Sequence, residues 1–162
     1  DRPPRGSGGS VSAALILQAI REKHPQAAVV HEVVLNDNLW DERRGESKPQ
    51  RRIDALMFES FQRTAIEIKV SPDDLARDTY AKRAPWVAVT HRFVYAMPES
   101  MFAQLDRRLG GNYDIWNCGV WTVDDHGNVR VARKAVVNRH PEPLPQQVVQ
   151  ALAYRAARKV VL

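Results

Sequence analysis

Cysteine is almost absent from this chain: Cys118 is the only one among 162 residues. An internal disulfide needs two cysteines and a cysteine-rich zinc site needs more, so both are excluded. A lone thiol is compatible with a reducing compartment, and we therefore expect a cytoplasmic protein.

Long hydrophobic runs are also missing. No apolar stretch approaches the roughly 20 residues that a membrane-spanning helix needs, so we expect no membrane association. The sequence also has no Gly-rich phosphate loop, no nucleophile elbow and no Ser-His-Asp pattern, which leaves an α/β enzyme of those chemistries without support. The histidines are scattered and show no metal-ligand spacing.

The residues that are present have the composition of an ordinary globular protein, with 44% hydrophobic and 27% charged residues. We expect a flexible lead-in over residues 1–10, which are rich in Pro, Gly and Ser, followed by a single domain over 11–162. The net charge of +5 is compatible with a polyanionic partner, although many other soluble proteins carry as much.

Hydrophobic periodicity and capping residues predict an α/β protein with a mixed sheet and helices on its faces. The predicted strands are Ala27–Leu35, Arg52–Glu59, Thr64–Val70, Arg92–Met97, Gly119–Val123 and Asn128–Arg133. The predicted helices are Ser10 or Ser12 to Lys23, Ser71–Arg83, Pro98–Leu109 and Gln146–Val160. Residues Asn36–Gln50 are predicted to form a loop, and Ser60–Arg63 the turn of a hairpin.

The central hairpin carries charges where the pattern predicts a buried sheet. Alternation along the second of its strands places Glu67 and Lys69 on one face and Ile66 and Ile68 on the other. Asp54, on the partner strand, can face the same side as Glu67. Such charges are costly in a buried sheet unless they are compensated, and a metal ion is one means of compensation. The other interpretation is an ion-paired sheet edge, which contributes little to stability.

These residues, in this order of elements, resemble the PD-(D/E)XK nuclease superfamily, and within it the MmcB-like DNA-repair proteins. The matching residues are Glu32 with Leu35, Arg51-Arg52 with Asp54, Glu67-Ile68-Lys69, and Asp74 with Asp78. The resemblance covers most of Ala14–Lys159 and implies a restriction-endonuclease-like core in αβββαβ order, followed by a C-terminal hairpin and helix. Two features depart from the family: Ile53 replaces the proline of the motif, and the loop Asn36–Gln50 is longer.

The resemblance implies an enzyme that hydrolyses DNA with Mg²⁺ or Mn²⁺, in DNA repair or in the processing of mobile-element or phage DNA. Asp54, Glu67 and the carbonyl of Ile68 would hold the metal, and Lys69 would orient the attacking water or bind the phosphate. Glu32 is a further candidate ligand, for which an ordinary structural role is equally expected. The alternative function is a nucleic-acid- or partner-binding module that keeps the fold without cleaving.

Other polar residues are assigned less directly. A basic group before the hairpin is a candidate for DNA contact, or else a solvated loop: Arg43, Arg44, Lys48, Arg51 and Arg52. Secondary site candidates are Asp74, Asp78, Lys82 and Gln18. For the first three we prefer structural roles: helix capping for Asp74 and a helical ion pair of Asp78 with Lys82. For Gln18, contact with a metal-bound water and a solvated helix face are equally expected.

Apolar side chains outside the hairpin leave two further alternatives open. Trp40 and Trp86 are expected to pack in the core or on the surface of the protein rather than to stack on bases. A homodimer that uses Val148 and Leu152 of the last helix is possible, but packing of these residues on their own core explains them equally well.

Overall fold

A single mixed sheet of six strands organises the computed structural model, which describes residues 11–37, 49–106, 115 and 117–159. The strands are β1 (Ala28–Asn36), β2 (Gln50–Glu59), β3 (Gln62–Ile68), β4 (Arg92–Pro98), β5 (Gly119–Val123) and β6 (Val129–Arg133). The helices of this described part are α1 (Ala13–Lys23), α2 (Pro72–Arg77), α3 (Tyr80–Ala88), α4 (Glu99–Asp106) and α5 (Gln146–Lys159). The predicted α/β class with a mixed sheet is therefore confirmed.

The strands lie in the sheet in the order in which they occur along the chain. The first three form an antiparallel meander, β4 and β5 run parallel to β3, and β6 is antiparallel to β5. Parallel neighbours need crossover connections, which α2 with α3 and then α4 provide. The predicted C-terminal hairpin, β5 with β6, thus extends the same sheet.

The predicted strands and helices agree with the structure to within two residues at their described ends, apart from the central hairpin and the helix Ser71–Arg83. The hydroxyl of Ser12 accepts the N–H of Leu15 at 3.2 Å and begins α1 as expected. The hairpin turn is shorter than predicted, because Ser60 and Phe61 both have positive φ (51° and 60°) and close it alone, as in a two-residue hairpin loop. At the other end β3 stops at Ile68, and Val70 is 44% exposed rather than buried.

The predicted helix Ser71–Arg83 is wrong, because two short helices occupy this region. Asp78 ends α2 with φ −76° and ψ 138°, and Thr79 continues in an extended conformation. The Thr79 hydroxyl then accepts the N–H of Lys82 at 3.3 Å and begins α3. Asp78 therefore lies outside both helices, and the predicted helical ion pair between Asp78 and Lys82 loses its basis.

Each face of the sheet packs its own hydrophobic cluster. On one face α1 covers residues such as Ala55, Ile66 and Ala96. On the other face lie α3, α4 and α5, with the second cluster. Val148 and Leu152 of α5 belong to that second cluster, so core packing accounts for them without a dimer interface. None of the helices in the described ranges has the length and apolar character needed to cross a membrane.

The side-chain alternation of β1 and β2 breaks at one point. Val30 and Val33 pack into the same cluster although they are three residues apart, and so do Ile53 and Leu56 on β2. The register His31↔Ala55 and Val33↔Ile53 places Glu32 opposite Asp54 between these pairs. Glu32 has a φ of 51°, in the left-handed region that Glu rarely adopts. The break therefore coincides with two of the predicted site residues.

Candidate active site

A cleft of about 250 Å³ opens between β2, β3 and α3 on the face of the second cluster. Its charged lining residues are mostly basic: Arg51, Arg52, Glu67, Lys69, Asp78, Lys82 and Arg83. A small cleft with several cations and few acids is suited to an anionic group such as a phosphate.

Asp54 and Glu67 meet where β2 and β3 separate. Their ladder ends at the pair Ala55↔Ile66, and the next positions outward are Asp54 and Glu67. The two carboxyl groups share a hydrogen bond. Oδ2 of Asp54 also accepts the main-chain N–H of Ile68 at 2.7 Å, which fixes the carboxyl beside β3. The predicted proximity of the two acids is therefore present.

The pKa of Glu67 is raised from 4.5 to about 9, and burial is the largest cause of the shift. The hydrogen bond to Asp54 and the negative charges of Asp54 and Asp78 also raise it, while the ammonium of Lys69 opposes the shift. At neutral pH the Glu67 carboxyl therefore keeps its proton and donates it to Asp54. Two carboxyls in this arrangement share a proton because both charges together are unfavourable.

Asp78 belongs to this site. The hydroxyl of Tyr95 donates a hydrogen bond to Oδ2 of Asp78 at 2.5 Å. Tyr95 is fully buried and pairs with Glu67 in the parallel β3–β4 register. Burial, and then the carboxylate of Asp78, raises the pKa of Tyr95 far above its usual range, so the phenol stays a donor. The break after α2 thus brings the carboxyl of Asp78 into the cleft that Glu67 also lines.

Lys69 and Lys82 line the cleft from different elements. Lys69 lies two residues after Glu67 on the same side of the chain, and its N–H binds the carbonyl of Ala96 at 2.9 Å. Lys82, on α3, donates from Nζ to the carbonyl of Arg77 at 3.4 Å. Lys69 is thus held by the sheet, whereas Lys82 is exposed.

Two arginines of the predicted basic group, Arg51 and Arg52, lie in the described residues, and their side chains differ in exposure to solvent. Nε of Arg51 binds Asp37 at 2.9 Å, and both side chains are largely buried. The N–H of Asp37 in turn donates to the carbonyl of Pro49 at 2.9 Å, which connects the residue after β1 to the residue before β2. Arg52 is exposed and lines the cleft. The other predicted DNA contacts, Arg43, Arg44 and Lys48, lie outside the described residues, as does Trp40.

Three predicted candidates are not among the residues that line the cleft. Glu32 is exposed, and its carbonyl accepts Nη2 of Arg155 at 2.5 Å. Gln18 donates to Glu22 at 3.1 Å on α1, which packs on the opposite face of the sheet. The ion pair of Asp74 with Arg77, at 3.5 Å, is exposed in α2, as expected of a structural residue.

Sequence reasoning missed Tyr95 and Arg83, and it treated Asp78 as structural. Tyr95 lies in the apolar run Arg92–Met97, a position typical of a core residue, and its side chain is fully buried. Arg83 is only 3% exposed, which its charge gives no reason to expect. Trp86 is buried and donates from Nε1 to the carbonyl of Arg51 at 3.0 Å, so it packs in the core, one of the two positions expected of it.

The donor set of the site is compatible with a hard divalent cation. Two carboxyls that share a proton present oxygen ligands from which a cation can displace that proton, and Mg²⁺ prefers such oxygens. Over the described ranges, no group of three His, Cys, Asp or Glu side chains is arranged to hold a metal ion. Mg²⁺ commonly retains several waters and uses one or two carboxylates, so Asp54 and Glu67 with the carbonyl of Ile68 suit it.

Comparison with solved structures finds similarity to SPO1766, a protein of unknown function from Silicibacter pomeroyi. The two share 19% sequence identity with a TM-score of 0.55, over 97% of this chain and 90% of that chain. At this identity the likeness concerns the fold alone. No protein-family model matches the sequence, and no curated protein matches it.

Proposed function

We propose that this protein is a nuclease that hydrolyses DNA phosphodiester bonds with Mg²⁺ or Mn²⁺. The observation that carries the proposal is the hydrogen-bonded pair of Asp54 and Glu67, at the point where two central strands separate, with Lys69 beside it in a basic cleft. The sequence resemblance to PD-(D/E)XK nucleases supports the same assignment.

Asp54, Glu67 and the carbonyl of Ile68 are the proposed ligands of the metal. When bound, Mg²⁺ supplies charge neutralisation at the phosphate and lowers the pKa of a coordinated water. The N–H of Ile68 holds Asp54 in place by its 2.7 Å hydrogen bond, so the ligand needs little reorganisation. The proton on Glu67 has to leave when the cation binds, and metal affinity should therefore rise with pH.

Lys69 is the proposed partner of the scissile phosphate or of the attacking water. Its side chain lines the cleft with that of Glu67, and its ammonium lowers the pKa of that carboxyl, which shows that the two groups are close. An ammonium is a compact point charge that binds a phosphate oxygen in this way. Arg52, exposed at the rim, is the proposed contact to the phosphate backbone.

Asp78 and Tyr95 complete the site as positioning residues. The hydrogen bond from Tyr95 holds the Asp78 carboxyl, whose charge acts on Glu67. DNA as the partner and the cytoplasm as the location belong to this proposal. The single buried thiol, Cys118, is compatible with a reducing compartment.

The test is cleavage of single-stranded, duplex, nicked and branched DNA by the purified protein, with Mg²⁺ or Mn²⁺ and with EDTA. We expect metal-dependent cleavage that falls by about 100-fold or more in Asp54→Asn, Glu67→Gln and Lys69→Met. Asp125→Asn and Lys134→Met, which change exposed charges elsewhere, should retain activity. Equal cleavage by Lys69→Met and wild type refutes the proposal. Salt-sensitive binding without cleavage favours the module that binds DNA and does not cut it.

A further inference from the structure

A second cavity, of about 290 Å³, adjoins the cleft. Arg83 and Phe93 line both spaces. Phe93 precedes Tyr95 by two residues on β4, and Tyr95 pairs with Glu67, so the cavity begins about 6–7 Å along the strand from the carboxyl site. A ligand whose phosphate lies in the cleft can therefore place an adjacent group in this cavity.

The walls of the cavity are mainly apolar, with polar groups at a few positions. Val87, Phe93, Val136 and Val137 supply apolar surface. The volume is near the lower end of the range of about 300–1,000 Å³ that is typical of small-molecule pockets, which combine apolar walls with a few polar contacts. A flat heterocycle is a ligand of this kind.

Tyr80 provides an aromatic surface at the mouth of the cavity. It is the first residue of α3, placed there by the capping residue Thr79. Its side chain is 61% exposed, and the guanidinium carbon of Arg83 lies 5.4 Å from the ring centroid. Exposed aromatic rings beside arginines are the surfaces on which proteins stack unpaired bases.

The tautomer of His91 is fixed, and its hydrogen-bond donor is Nε2. Its Nδ1 accepts the main-chain N–H of Arg63 at 3.0 Å, so the neutral ring carries its proton on Nε2. Burial lowers the pKa of His91, and the charges of Arg63 and Arg92 lower it further, which keeps the ring neutral. The amides of Asn117 and Asn138 also line the cavity, and amides both donate and accept as the edges of bases require.

We infer that this cavity is a base pocket, formed by Tyr80, Arg83, His91, Asn117 and Asn138, which binds one unpaired nucleobase beside the phosphate held in the cleft. The inference rests on the proposed function and names its substrate class. A base inside a duplex is paired and stacked, so the pocket selects single-stranded or frayed DNA. The adjoining basic cleft favours nucleic acid over a peptide side chain as the occupant.

The test is equilibrium binding in EDTA, where metal-dependent cleavage is absent, measured by fluorescence anisotropy. The probes are a labelled single-stranded 12-mer (about one helical turn), the same strand with every base removed, and a blunt duplex of the same length. The intact and abasic strands carry the same phosphate backbone, so the difference between them reports on the bases. We expect the intact single strand to bind at least about 10-fold more tightly than the abasic strand.

Substitutions of Tyr80 separate binding in the pocket from binding of the phosphate backbone. Tyr80→Ala should weaken binding of the intact strand by about 5- to 100-fold and leave binding of the abasic strand unchanged, since the stacking surface alone is removed. Tyr80→Phe keeps the ring and should bind as wild type does. Tyr154→Ala is the matched control, because Tyr154 is equally exposed (59%) but lies on α5.

The outcomes separate this inference from the proposed function. Tyr80-dependent binding of the intact strand without any cleavage supports the base pocket and refutes the nuclease. Metal-dependent cleavage with equal binding by Tyr80→Ala and wild type refutes the base pocket and leaves the nuclease in place. Equal affinity for the intact and abasic strands also overturns the inference. This result favours an apolar peptide side chain as the occupant of the cavity.

Discussion

The hydroxyl of Tyr95 donates a hydrogen bond to the carboxyl of Asp78, and this contact links the centre of β4 to the break between α2 and α3. Asp78 also acts electrostatically on Glu67. The irregular segment after α2 is therefore connected to β4 through a buried phenol and to Glu67 through the charge of Asp78.

Tyr95→Phe should lower the free energy of unfolding by about 1–2 kcal/mol, because a hydrogen bond to a charged, half-buried group is lost. Urea denaturation is the measurement. Asp78→Asn keeps an acceptor for the phenol and should be less affected. Tyr154→Phe, which changes an exposed phenol, should unfold as wild type does. A Tyr95→Phe protein as stable as wild type contradicts the contact.

Glu67→Gln should change the dependence of stability on pH in the metal-free protein. The folded pKa of about 9 exceeds the ordinary 4.5, so the folded state binds the extra proton between these values. The stability that this proton supplies is complete below about pH 4.5 and is lost as the pH rises through 9. Glutamine keeps a donor toward Asp54 and does not titrate.

Between pH 6 and 8, wild type should therefore lose stability relative to Glu67→Gln, by about 1 kcal/mol per pH unit. Denaturation in EDTA at several pH values measures the difference. Asp54→Asn should likewise fold, with unchanged or raised stability, since an unfavourable buried charge is removed. Parallel pH profiles for wild type and Glu67→Gln are incompatible with a shared proton.

Mg²⁺ or Mn²⁺ should raise the melting temperature of wild type, on the order of 5 °C when the ion is about 100-fold above its dissociation constant. The rise should be larger at pH 8 than at pH 6, because the ion competes with the proton on Glu67. Differential scanning fluorimetry with EDTA controls measures it. Glu67→Gln and Asp54→Asn should lose the rise, whereas Asp125→Asn should retain it. A rise that is equal in all four proteins places the metal elsewhere.

Arg52→Ala should weaken DNA binding about equally for all sequences and reduce the slope of log affinity against log salt concentration by about one, as the loss of one phosphate contact requires. Binding titrations at several salt concentrations give the slope. Arg158→Ala removes an exposed arginine on α5 and serves as the control. An unchanged slope in Arg52→Ala argues that this arginine does not reach the phosphates.

The face on which Glu67 lies could be predicted because the side chains of β3 alternate regularly between the two faces of the sheet. Ala65 and Glu67 lie on one face, and Ile66 and Ile68 pack on the other, as the two-residue period requires. The meeting of Asp54 with Glu67 follows from the hairpin register once the turn is short. These features depend on neighbouring residues, which local patterns describe well.

Features that depend on tertiary contacts were not predicted. The apolar residues of 71–83 are compatible with one helix. The break before Thr79 coincides with the hydrogen bond of Asp78 with Tyr95, which is distant in the sequence. The alternation of β1 breaks at Glu32, and nothing in the identity of a glutamate indicates its positive φ. The proposed role of Tyr80 in the base pocket depends on Arg83, one turn along α3, and on the segment after β6, which is distant in the sequence.

The measurement that tests the central claim most directly is the position of Mn²⁺ in crystals grown at pH 8 and soaked in the ion, located by its anomalous scattering. The account predicts one strong peak bonded to the carboxylates of Asp54 and Glu67 and to the carbonyl of Ile68, with the direct hydrogen bond between the two carboxyls broken. Crystals at saturating Mn²⁺ in which Asp54 and Glu67 remain hydrogen-bonded to each other, with no peak between them, would contradict it.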